Sequence, residues 1–242
     1  MKKVLFIFYL FFIVSCGILP PKNNYYTEAT KLELGVVGKK QKSVQKTSFQ
    51  TFGIPKYDKK IRLLVSAKPF SKAIYKGYQK ALTGNWVAKT VKYTDSIIAK
   101  LTYINVVIQD RVAVVSALNL ANKNVFEYLK KSPNATLVSG VRLVGDADFQ
   151  YQIQRADAFY LQTDDHQKQW LYLHKDQKEI GKLDFSKTII FGYKLSSFCW
   201  KIDAQKKIKI ATIIGQRENC LLDTERNVQD LEKKIVKQLV KF

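Results

Sequence analysis

The chain runs to 242 residues with 46% hydrophobic and 12% aromatic content, which excludes a disordered chain and leaves enough apolar side chains for a folded core. Its 41 Lys/Arg against 20 Asp/Glu give a formal net charge of +21, a balance that points to an anionic partner. The three cysteines and two histidines show neither HExxH nor paired-Cys spacing, so no metal site and no cofactor is expected.

The N-terminus opens with Lys2 and Lys3, continues through an unbroken apolar run at 4–14, and reaches Ser15, Cys16 and Gly17. A short basic region, an apolar stretch and small residues describe a secretory signal. The run falls short of the roughly 20 residues that span a bilayer, and Pro20, Pro21 and Lys22 stop its extension. Ile13-Val14-Ser15-Cys16 resembles the lipobox of bacterial lipoproteins, with Ile13 standing where leucine is usual. The resemblance covers residues 1–17 only. It implies removal of residues 1–15, lipid on Cys16 and attachment to a membrane of the cell envelope. Gly17 in place of aspartate favours the periplasmic side of the outer membrane in a cell that has one. An exported chain meets anionic lipid, glycan or acidic protein in place of nucleic acid. Basic residues beside an anionic membrane gain about 1 kcal/mol each. The charge is uneven: residues 17–132 hold 21 Lys/Arg against 6 Asp/Glu, and residues 133–242 hold 18 against 14.

Residues 16–59 read as a lipidated tether, with Pro20, Pro21 and Pro55 and the basic, weakly apolar run 38–46. A single domain is expected over 60–242, with a change of pattern near 133. The run 61–67 suits a buried strand. Pro69 is expected to start a helix whose apolar face is Phe70, Ile74, Tyr78 and Leu82, with Lys68, Lys72, Lys76 and Lys80 as a second row. Four like charges at this spacing suit either a solvated face or a stripe for an anionic surface. Residues 86–93 look strand-like, and Asp95 can cap a short helix to 101. The β-branched run 104–118, interrupted by Gln109-Asp110-Arg111, suggests two strands about a turn or one bent strand. A helix follows at 122–131. Short strands are then expected at 136–144, 149–154, 158–163, 168–174, 188–195, 198–202 and 208–214, and a last helix at 224–240. The layout is α+β: a mixed, largely antiparallel sheet with a few packed helices and a C-terminal helix.

Chemistry is harder to find. Cys199 and Cys220 are candidates for one disulfide in an exported chain, or for two buried thiols. No GxSxG, SxxK or P-loop pattern occurs, and Cys199 lies in an aromatic run where a thiolate is disfavoured. Asp164, Asp165 and His166, and the pair Asp146 and Asp148, read first as turns. Tyr25, Tyr26, Tyr75, Tyr78, Trp86 and Tyr93 suit stacking on sugar or lipid, or a place in the core. Three functions fit. The first is a non-catalytic envelope lipoprotein with a basic surface for an anionic partner. The others are an envelope enzyme acting on glycan or lipid without a local motif, and an immunity or inhibitor lipoprotein.

Overall fold

The computed structural model describes residues 25–26, 32–42, 47–82, 101–221 and 223–239. Cys16, the expected strand at 86–93 and all but the last residue of the expected helix at 95–101 lie outside them. Within them the fold is mixed α+β, with ten strands in one sheet and five α-helices including a C-terminal one. Every strand pairing is antiparallel.

The strands are β1 (Val37–Lys42), β2 (Thr47–Gly53), β3 (Ile61–Pro69), β4 (Thr102–Ile108), β5 (Thr136–Val144), β6 (Ala158–Thr163), β7 (Gln169–Lys175), β8 (Lys178–Asp184), β9 (Ile189–Ile202) and β10 (Ile208–Gly215). The helices are α1 (Lys72–Leu82), α2 (Arg111–Leu120), α3 (Lys123–Lys131), α4 (Ala147–Arg155) and α5 (Val228–Leu239). Spatial order is β10-β9-β5-β4-β3-β6-β7-β8, with the β1–β2 hairpin joined to β5 through Val37 and Gly38. β5 is buried along most of its length, which is why its sequence (TLVSGVRLV) is apolar without alternation. Successive strand residues face opposite ways, so Ile104 enters the main core and Tyr103 a second cluster on the other face. α2, α3 and α5 supply Val114, Leu118, Leu129, Val228 and Leu231 to the main core. α1 covers the second cluster, in which Phe70, Tyr75, Tyr78, Tyr103 and Phe191 pack ring against ring.

Five sequence expectations change, and one strand is added. Residues 32–42 and 47–59 are not tether. Leu32, Leu34, Val36, Val37, Phe49 and Tyr57 are all buried in the main core. Gly35 takes φ +82° and its carbonyl accepts from the Tyr57 hydroxyl at 2.7 Å, so burial pushes that hydroxyl far above its ordinary pKa. Gly38 lies where a Cβ would sit 2.2 Å from the Gln50 carbonyl, so the hairpin closes only on glycine.

The run 104–118 is a strand followed by a helix. The Asp110 carboxylate accepts from the Ala113 N–H at 2.8 Å, which caps α2. Val114 and Leu118 then bury at helical spacing and override the β preference of the valines. The segment 149–154 is likewise helical: Asp146 caps α4 through the Phe149 N–H, and Phe149 and Ile153 are its buried pair.

The strands expected at 188–195 and 198–202 are one strand, β9. Its central Ser196 hydroxyl donates to the Ser139 hydroxyl at 2.7 Å, satisfying both in the interior. β8 was not anticipated; it follows a two-residue turn in which Asp176 and Gln177 both have positive φ. Finally, Pro69 ends β3 opposite Thr102, and the helix starts three residues later, where the Ser71 carbonyl accepts from the Tyr75 N–H at 2.8 Å.

Candidate functional site

The hairpin and α3 together form the most distinctive surface. Pairing of Lys39 with Gln50 and of Gln41 with Ser48 places these four side chains on one face, two residues from Phe52. Lys40 and Phe49 face the other way, towards Tyr26 and Tyr193; the Lys40 ammonium lies 3.6 Å from the Tyr26 ring centroid. α3 closes the opposite wall. Its Tyr128 ring packs 4.9 Å from Phe52, and its last residue, Lys131, leads into Ser132 and Pro133. Cations in the last turn of a helix are favoured by its dipole.

The space between hairpin and helix is an open groove of about 620 Å³. Lys39, Lys40 and Lys131 contribute to its lining, with an amide pair in which Gln41 Nε2 donates to Gln50 Oε1 at 2.6 Å. Among the described residues no carboxylate lines it. None of these three lysines has an acidic partner within 4.0 Å among the described residues; the Lys40 ammonium rests on the Tyr26 ring, which leaves Lys39 and Lys131 as the cations of the groove.

The outward face of β6, β7 and β8 makes the comparison instructive. Trp170 lies between Lys168 and Lys182, at 4.4 and 4.3 Å from its ring. Here, however, Lys168 is paired with Asp184 at 2.6 Å, and Lys60 with Glu179 at 3.1 Å. Burial alone would raise the Asp184 pKa, but hydrogen bonds from Lys168 and Ser186 together hold it below the usual carboxylate value. On that face two lysines are paired with carboxylates; in the groove none is among the described residues.

The expected site residues fall as follows. Cys199 and Cys220 are joined in a disulfide with Cα atoms 5.7 Å apart, tying β9 to the segment after β10. Lys72, Lys76 and Lys80 lie exposed along α1, whereas Lys68 is exposed on β3, so the row of four is divided between a strand and a helix. Lys68, Lys72 and Lys76 have no acidic partner among the described residues.

Asp164 is committed to its turn: it accepts from Trp170 Nε1, the Lys168 N–H and the His166 N–H, which lower its pKa. Asp146 is the α4 cap, and Asp148 accepts from Gln152 Nε2 at 2.6 Å. His174 is nearly buried, with Nε2 3.0 Å from the Lys60 ammonium. Among the described residues no group of three or more His, Cys, Asp or Glu side chains is placed to hold a metal ion.

Tyr75 and Tyr78 belong to the aromatic cluster under α1. Tyr25 donates to Asn105 Oδ1 at 2.6 Å and stacks on Arg142; burial raises its pKa and the guanidinium partly offsets that. Trp86 and Tyr93 lie outside the described residues.

Sequence reasoning does not find the groove, because it assigns the hairpin to a tether over 16–59. Its low apolar content matches linker composition, and Phe49 and Phe52, three residues apart, lie on opposite faces of β2 and give no period of two. Comparison with family models, with curated proteins and with solved structures finds no match for the chain.

Proposed function

We propose that this chain is a membrane-anchored lipoprotein of the cell envelope, acting as a non-catalytic binding or assembly component. Its basic surface holds an anionic partner. The observation that carries the reading is the groove between the hairpin and α3, where Lys39 and Lys131 stand on the two walls with no carboxylate among the described lining residues. Such a site offers cations, amides and rings, which suit recognition and electrostatic capture. The exposed lysines of α1, which covers the second cluster on the other face of the sheet, add positive charge there. Lipid at Cys16 is the proposed anchor, and the lipobox-like Ile13-Val14-Ser15-Cys16 supports it. No helix among the described residues is long and apolar enough to cross a membrane.

Two measurements test the reading. The full chain should be retained on immobilised polygalacturonate and on phosphatidylglycerol vesicles, and elute as salt rises. Equal retention on neutral matrices, or indifference to salt, overturns the anionic-partner assignment. Cys16→Ser should move the protein from the membrane to the soluble fraction of cells; continued membrane association refutes the anchor.

A further inference from the structure

We infer that the groove between the β1–β2 hairpin and α3 is a binding site for an anionic saccharide, an assignment that rests on the anionic-partner reading above and narrows it. Three features of the groove combine. Phe52 and Tyr128 form a tilted ring pair at 4.9 Å, with Tyr128 53% exposed, so an aromatic surface is presented to solvent at the groove wall. Gln41 and Gln50 bond to each other and retain spare amide donors and acceptors beside Ser48 and Ser132. Lys39 on the hairpin and Lys131 at the end of α3 bring positive charge to both walls.

This combination matches a sugar bearing phosphate or carboxylate. A pyranose has an apolar C–H face that packs on an aromatic ring, and hydroxyls at its edge that pair with amides and serines. Its anion then accepts charge-assisted hydrogen bonds from lysine. A volume of about 620 Å³ is in the range of small-ligand sites, and its concave, open form admits a chain passing through. A bilayer would require an extended apolar surface to insert, and here the exposed Tyr128 ring stands among lysine, glutamine and serine side chains. An acidic peptide would use the lysines but has no need of the ring pair. The rings therefore separate saccharide from other polyanions.

The test is calorimetric titration of the full chain with four probes. These are oligogalacturonate, a phosphorylated mannan oligosaccharide, neutral maltooligosaccharide and polyglutamate. Binding of either anionic oligosaccharide, at least about tenfold tighter than the neutral one, is expected. Lys39→Gln with Lys131→Gln should remove that difference. Tyr128→Ala should weaken the anionic oligosaccharide about tenfold and leave polyglutamate unchanged. Tyr128→Leu, which keeps bulk on α3, should weaken it as well, and an unchanged circular dichroism spectrum excludes unfolding as the cause.

If polyglutamate binds as tightly as the oligosaccharides and Tyr128→Ala affects neither, the saccharide assignment is wrong while the anionic-partner reading stands. If no polyanion binds, both fail.

Discussion

Removing the Cys199–Cys220 bond tests whether the end of the chain is held by covalent closure or by contacts alone. The bond spans 21 positions and joins a fully buried cysteine in β9 to the segment after β10. In the chain-entropy treatment a loop of this length restrains the unfolded state by about 3 kcal/mol. At roughly 2–4 °C per kcal/mol for a domain of this size, the melting temperature should fall by about 6–12 °C.

The closure does not act alone. Trp200 exchanges two backbone hydrogen bonds with Glu225, and Arg226 donates to the Gln216 and Glu218 carbonyls. The reduced protein should therefore stay folded at 25 °C, with faster amide exchange at 216–227 and in α5 than in β5. The assay is differential scanning calorimetry with and without a phosphine reductant, backed by Cys199→Ala with Cys220→Ala to exclude reagent effects. A melting temperature unmoved by both treatments would refute the loop-closure argument.

Three further outcomes are expected. Gly35→Ala should destabilise by more than about 1 kcal/mol, because φ is +82° and a Cβ would sit 2.8 Å from the Tyr57 ring; a urea midpoint equal to that of the unaltered protein would contradict the strain. A chain beginning at residue 60 should fail to fold, since it lacks the buried Leu32, Leu34, Val36, Val37 and Phe49; a cooperative thermal transition would show that the hairpin is dispensable. The Lys168–Asp184 pair should give an acid-side loss of stability. The Asp184 pKa is depressed in the folded state, so its contribution is present above the unfolded value near 4 and is lost as pH falls through the lower folded value. Lys168→Gln should flatten that part of the stability–pH curve, and an identical acid slope in the variant would argue against the pair.

The sequence conveyed most of the architecture and little of the candidate site, for reasons visible in particular residues. α3 and the C-terminal helix carry apolar residues at helical spacing, and β5, β6, β7 and β10 carry β-branched or alternating runs. The even cysteine pair pointed to the bond that forms. α2 was read as strand because Val112, Val114 and Val115 favour β structure, yet the deciding residue was Asp110, a cap in plain view. In α4, Phe149, Tyr151 and Ile153 alternate as in a strand, but Tyr151 is exposed and only the residues four apart are buried.

Composition misled most in the hairpin. One of its faces is meant for solvent or ligand, so lysine, glutamine and serine diluted the apolar content that marks a folded segment. Lys68 joined the α1 row only because spacing alone does not show where Pro69 ends a strand.

Tyr26 pairs with Tyr193 through reciprocal backbone hydrogen bonds of 2.8 and 2.9 Å, so the chain is already moored to the sheet at that point. Nine residue steps separate Cys16 from Tyr25. Fully stretched, they reach no further than about 30 Å. With the proposed lipid at Cys16, the body would be on a short leash, close to the bilayer. On the proposed anchor, a partner of the proposed groove site would meet it at the membrane.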